Sequence, residues 1–137
     1  MKSTNAIGRL TVKSGSAWEP KTGHSRAIRA GNHVFVSGTA PSSVTDGDEF
    51  PPDSYGQTLK CFEIIVNALE EAGAKRTDVV RTRIYAASTE DIPGVCQAHL
   101  ETFGDVGPAS TILVVAAFDD PRWRVEIEAE AVIADES

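Results

Sequence analysis

Ser110 and Thr111 sit where chemistry is easiest to place, between a Gly107-Pro108 turn and the apolar run from Ile112 to Val115, in the stretch GPASTILVV. Gly-Pro ends one element, and the run that follows reads as a buried strand. At such a join, hydroxyls and backbone N–H groups on a rigid scaffold can hold a carbonyl or carboxylate oxygen without a cation. Hydroxyls that simply bond the local backbone at a strand start account for the same two residues.

The elements around this join follow from periodicity. Ile7 to Val12 reads as a first strand and His33 to Ser37 as a second, apolar on both faces and therefore central. Pro41 to Ser54 is a polar loop. A helix opens at Asp53 or Ser54, with Gln57 placed for a capping box, and closes at Gly73. Its expected core stripe is Leu59, Phe62, Ile65 or Val66, and Leu69. Val79 to Ala87 alternates, with Val80, Thr82 and Ile84 on one face and Arg81, Arg83 and Tyr85 on the other. A second helix starts near Pro93, directs Val95, His99 or Leu100, and Phe103 inward, and ends at Gly104. Ser110 to Ala117 and Trp123 to Ile133 complete the strands.

The order β-β-α-β-α-β-β predicts one α+β domain over residues 1–137, with two helices covering one face of the sheet. The other face carries Arg81, Arg83, Arg124 and three glutamates beside Tyr85, a mixture too polar for a core and too apolar for water. A second copy of the chain would cover it.

Composition narrows the function classes. The formal charge of −7 argues against nucleic-acid binding, which needs a basic surface. No apolar run is long enough to span a bilayer and the N-terminus does not read as a secretory signal, so a cytoplasmic location is expected. Cys61 and Cys96 fall in different helices with no ligand spacing around them, and are read as reduced thiols rather than a disulfide or metal site.

Four segments, GNHVFVSGTA, QTLKCFEIIVNALEEAGAKRTDVVRTRIYA, GPAST and VEIEAEAV, together resemble the Rid family, also called YjgF/YER057c/UK114. The resemblance implies a chorismate-mutase-like fold, a homotrimer with a central barrel, and a small-molecule cleft at each subunit interface. It implies hydrolysis of enamines and imines to keto acids and ammonia, with no metal and no cofactor. In the best-known branch the turn reads Pro-Ala-Arg-Ser, and its arginine grips the substrate carboxylate. Here the same positions are Pro108-Ala109-Ser110-Thr111, so a neutral hydroxyl replaces a bidentate cation, as in an arginine-lacking branch.

Carried over position by position, the resemblance makes Glu126 the water-orienting carboxylate and Ser110 its companion. The ligand-binding set it implies is His24, in place of a tyrosine, with Ser37, Gly38, Tyr85, Ala109, Thr111 and Cys96, the last in place of an asparagine. Arg26 is a replacement cation or a plain surface ion pair. Two functions remain open: a hydrolase or deaminase of imines and related carbonyl compounds, or a trimer that binds a metabolite or a protein partner without catalysis. Ribonuclease activity fits poorly with the acidic composition.

Overall fold

The structure, a computed structural model, describes residues 2–4, 8–42 and 49–134. Among these residues, seven strands form one sheet in the order β1-β2-β3-β4-β7-β5-β6. They are β1 (Lys2–Thr4), β2 (Leu10–Val12), β3 (Ala27–Ala30), β4 (His33–Thr39), β5 (Val79–Ala86), β6 (Ala109–Val114) and β7 (Val125–Val132). The α+β reading with β4 at the centre holds. Sequence periodicity missed β1, β3 and the short helix α1 (Trp18–Thr22). β3 reads AIRA, four residues with two alanines, and carries little intrinsic strand signal. Ile7, expected in the first strand, and part of the expected loop lie outside the described residues.

Helix α2 (Ser54–Glu71) begins at Asp53, whose carboxylate accepts the Gly56 N–H at 3.3 Å. Gln57 does not form a capping box. Its side chain is fully buried and instead ties the Pro51 and Arg122 carbonyls to the Arg124 N–H, at 3.0, 3.1 and 2.6 Å. The buried stripe of α2 runs through Thr58, Cys61, Phe62, Ile65, Ala68 and Leu69, leaving Leu59 and Val66 on its margins. Gly73, at φ 89°, takes the left-handed conformation just past the helix end.

Helix α3 (Ile92–Phe103) packs on α2 and carries the chain from β5 to β6, the only parallel pair among the described strands. Val95, Ala98 and Phe103 point inward, His99 stands edge-on to Phe62, and Leu100 is exposed. The predicted β5 faces need one change. The β5/β7 register skips between Val79 and Arg81, so Val80 bulges outward and is exposed while Thr82 and Ile84 stay buried. On β7 the alternation is faithful: Val125, Ile127, Ala129 and Ala131 are all buried beneath the helices. Arg124 leaves the expected open face and pairs through its guanidinium with Asp91 at 2.7 and 3.1 Å.

The second departure concerns β6. Its apolar run reads as buried, yet it forms the edge of the sheet, with Leu113 54% and Val114 46% exposed. Phe35 and Val132 are exposed as well.

Candidate functional site

A glycine in the middle of β4 builds the site. Between Val36, which pairs with Ala129, and Thr39, which pairs with Ile127, β4 spends one residue more than β7 does. The resulting bulge at Ser37-Gly38 bends the strand and turns its backbone toward the side chain of Glu126. A Cβ on Gly38 would lie 2.9 Å from Glu126 Oε1, so only glycine permits this approach.

Arg26, at the entry to β3, braces the bulge from the other side. Its Nη2 donates to the Ser37 and Gly38 carbonyls at 3.0 and 2.6 Å, and the Ser37 hydroxyl donates to the Ser25 carbonyl at 2.6 Å. The α1 segment then walls the space. Glu19 is buried, its carboxylate receiving the Ser14 amide at 3.1 and 3.2 Å together with the Ser14 hydroxyl. His24 is held by the Thr22 hydroxyl through Nδ1.

The outcome is a cleft of about 790 Å³ whose lining includes His24, Arg26, Ser37, Gly38 and Glu126, closed by Trp18, Trp123, Glu19 and Asp119. Glu126 is half-buried and has no hydrogen-bond partner among the described residues. Burial pushes its carboxyl above the ordinary value; the Arg26 guanidinium opposes the rise, and Glu128 and Asp119 add to it. Burial likewise lowers Arg26, against the pull of Glu19 and Glu126. For Glu19, burial acts upward but the Ser14 hydroxyl and amide outweigh it and hold the carboxyl low. An unpartnered carboxylate of raised pKa, beside an open cleft, suits proton exchange with a bound water.

Five of the ten residues singled out in the sequence therefore meet in one cleft. Tyr85 pairs in register with Glu126 one strand away, but its hydroxyl donates to Glu128 at 3.0 Å and it does not line the cleft. Cys96 is exposed on α3, away from the lining.

Ala109, Ser110 and Thr111 lie on the edge strand β6. Ser110 pairs with Thr82, which pairs with Ala129, so within one chain Ser110 stands two strands across and three residues along from Glu126. That is on the order of 14 Å from strand spacing and rise. Alternation also sends the two hydroxyls to opposite faces. Ser110 Oγ accepts from Thr82 Oγ1, itself 2.8 Å from His99 Nε2 on the helix side, whereas Thr111 pairs with Arg83 on the open face. They cannot both face Glu126 from within one chain.

Sequence reasoning missed Trp18, Glu19, Asp119 and Trp123 as lining residues. The short α1 helix gave no periodic signal, and the loop before β7 read only as a strand start. The glycine inside HVFVSGT was the one available sign of a bulge.

The family model described as endoribonuclease L-PSP matches residues 14–133. The chain belongs to this family. A Mycobacterium tuberculosis member of what is also called the YjgF/YER057c/UK114 family has a crystal structure that superposes with a TM-score of 0.84 at 38% identity, covering 92% of this chain and 100% of its own. The protein SCO2049 of Streptomyces coelicolor is 41% identical over 122 residues, 88% of this chain and 89% of its own length. A 2-iminobutanoate/2-iminopropanoate deaminase of Dermatophagoides farinae is 29% identical over 115 residues, 84% of this chain and 89% of its own. The family thus includes a relative named as an imine deaminase, and the fold read from sequence is the family fold. Among the described residues, no helix is long and apolar enough to cross a membrane.

Proposed function

We propose that this chain hydrolyses small imines or enamines, as a homotrimer whose clefts are completed by the β6 edge of a neighbouring copy. The observation that carries the reading is the unpartnered, half-buried carboxylate of Glu126 against Gly38 in the cleft. Water held by Glu126 gives up a proton to the carboxylate as its oxygen bonds to the C=N carbon. That proton passes to nitrogen to give the carbinolamine; its hydroxyl proton then passes through Glu126 to the same nitrogen, the C–N bond breaks, and ammonia leaves as the carbonyl forms. The ligand is held by its carbonyl or imine group, with His24, Ser37 and Gly38 on one side. Ala109, Ser110 and Thr111 of the neighbouring copy stand on the other side.

Support for assembly comes from Leu113, Val114, Phe35 and Val132, large apolar side chains left exposed on β6, β4 and β7. A row of charges, Arg83 with Glu128 and Glu130 at 3.6 and 3.1 Å, lies on the open face.

One observation favours the second reading, a trimer that binds a metabolite without turning it over. Ser110 is neutral at the position where the resemblance expects a carboxylate-gripping arginine. The experiment uses fresh imine generated by a coupled oxidase and trapped with semicarbazide. Slower build-up of semicarbazone with wild-type protein, and undiminished build-up with Glu126→Ala of unchanged sedimentation, is the expected result. Equal rates with and without wild-type protein would leave the binding reading in its place.

A further inference from the structure

The charges around the cleft select against the ligands that an arginine-bearing cleft would take. Its described lining carries three carboxylates, Glu19, Asp119 and Glu126, against one guanidinium, Arg26. That guanidinium is partly committed to the backbone: Nη2 donates to the Ser37 and Gly38 carbonyls, while Nε is buried without a hydrogen-bond partner. Lys13, next to the lining residue Ser14, donates to the His24 carbonyl at 2.8 Å. On the open face, Arg83 is held between Glu128 and Glu130. A carboxylated ligand entering here would meet Glu126 and Asp119 against the single positive charge of Arg26, and close like charges repel more strongly as water is excluded. The lining also carries two indole rings, Trp18 and Trp123, whose faces attract flat and cationic groups. Trp18 already carries the Lys21 ammonium 5.4 Å from its ring centre.

We infer that the cleft takes neutral or cationic small molecules, imines and amines lacking a carboxylate, in preference to imino acids. This rests on the proposed use of the same cleft but not on turnover.

Propylammonium, propionamide and propionate are matched in size and differ in charge at neutral pH. Titrated separately into the intact protein and followed by NMR shifts of the Trp18 and Trp123 indoles, the first two should bind at least tenfold more tightly than propionate. Asp119→Asn should narrow that gap severalfold with its melting temperature unchanged. Propionate binding within threefold of propylammonium, or no binding of any of the three, overturns the inference. The imine made from propylamine by an amine oxidase should then be hydrolysed with kcat/KM at least tenfold above that made from alanine by an amino-acid oxidase. If the probes bind in the stated order and neither imine is hydrolysed, the substrate class stands and the hydrolase reading falls. A preference for the alanine-derived imine would overturn the class itself.

Discussion

Gly38 and Glu126 stand so close that a single methyl group would displace the carboxylate: a Cβ on Gly38 would lie 2.9 Å from Oε1. The backbone of Gly38 is not in the left-handed region, so alanine adds no conformational strain there. The atom in the way is the far end of a flexible side chain, so Glu126 moves and the fold survives. Gly38→Ala should change stability by less than about 1 kcal/mol. It should lower imine hydrolysis by roughly tenfold to a hundredfold, because a displacement near 1 Å has that leverage on a reacting group. A thermal melt and the semicarbazone assay check the two halves separately, and full activity in the variant would remove Glu126 from the chemistry.

Gln57 has the opposite character, a polar side chain that works for the fold alone. It is fully buried and satisfies three backbone groups from two distant segments, Pro51, Arg122 and Arg124. Leucine fills a similar volume but leaves those groups without a partner, at roughly 1–3 kcal/mol for each one that finds no water. Gln57→Leu should lower the unfolding free energy by about 2–4 kcal/mol in urea titration. A loss below about 0.5 kcal/mol would mean water replaces the amide without cost.

Much of this architecture was legible because it follows periodicity. The alternation of β7 and the α2 stripe around Phe62, Ile65 and Leu69 both fix which face is buried. The misses share a physical cause: bulges and edges depend on pairing partners that a single segment does not encode. Val80 left its expected face through a register skip, and the apolar β6 run lies at an edge where Leu113 and Val114 face outward. The cleft was half legible. His24, Ser37, Gly38 and Glu126 came from the family resemblance and Arg26 from its charge, whereas Glu19 and Trp18 arrive from a five-residue helix, Asp119 from a loop with no pattern of its own, and Trp123 read only as the start of a strand.

The raised Glu126 carboxyl makes two pH predictions of definite sign. The proposed hydrolysis needs the carboxylate, so the rate should fall as pH drops through the folded-state value, which burial places above the ordinary 4.5. For stability, the folded state holds this proton more tightly than the unfolded chain. Its contribution is therefore fully present below 4.5 and is lost as pH rises through the raised folded value. Glu126→Gln should abolish that pH-dependent loss and leave the protein more stable than wild type at neutral pH. Melting temperatures of the two proteins from pH 4 to 8 would show diverging curves. Parallel curves would mean that Glu126 is solvated like any surface carboxylate.

Ser110→Arg probes the exposed β6 edge and the charge selection together. Ser110 is exposed, and its one described hydrogen bond is from Thr82 Oγ1, which keeps its 2.8 Å contact with His99 Nε2 when the serine is lost. The substitution should therefore cost little stability, within about 1 kcal/mol for an exposed edge position. What it adds is a planar cation with five donors, free of the backbone commitments that hold Arg26. If β6 of a neighbouring copy borders the cleft, that cation meets an entering carboxylate in a partly dry space, where a charge-assisted pair contributes about 1.5–3 kcal/mol. Binding of propionate should then tighten roughly tenfold to a hundredfold, and hydrolysis of the alanine-derived imine should rise relative to the propylamine-derived one. Binding of propylammonium should weaken in the same variant, because the new charge repels it. Were propionate binding unchanged while sedimentation still reported a trimer, β6 would not border the cleft, and the carboxylates around Glu126 would account for its selectivity alone.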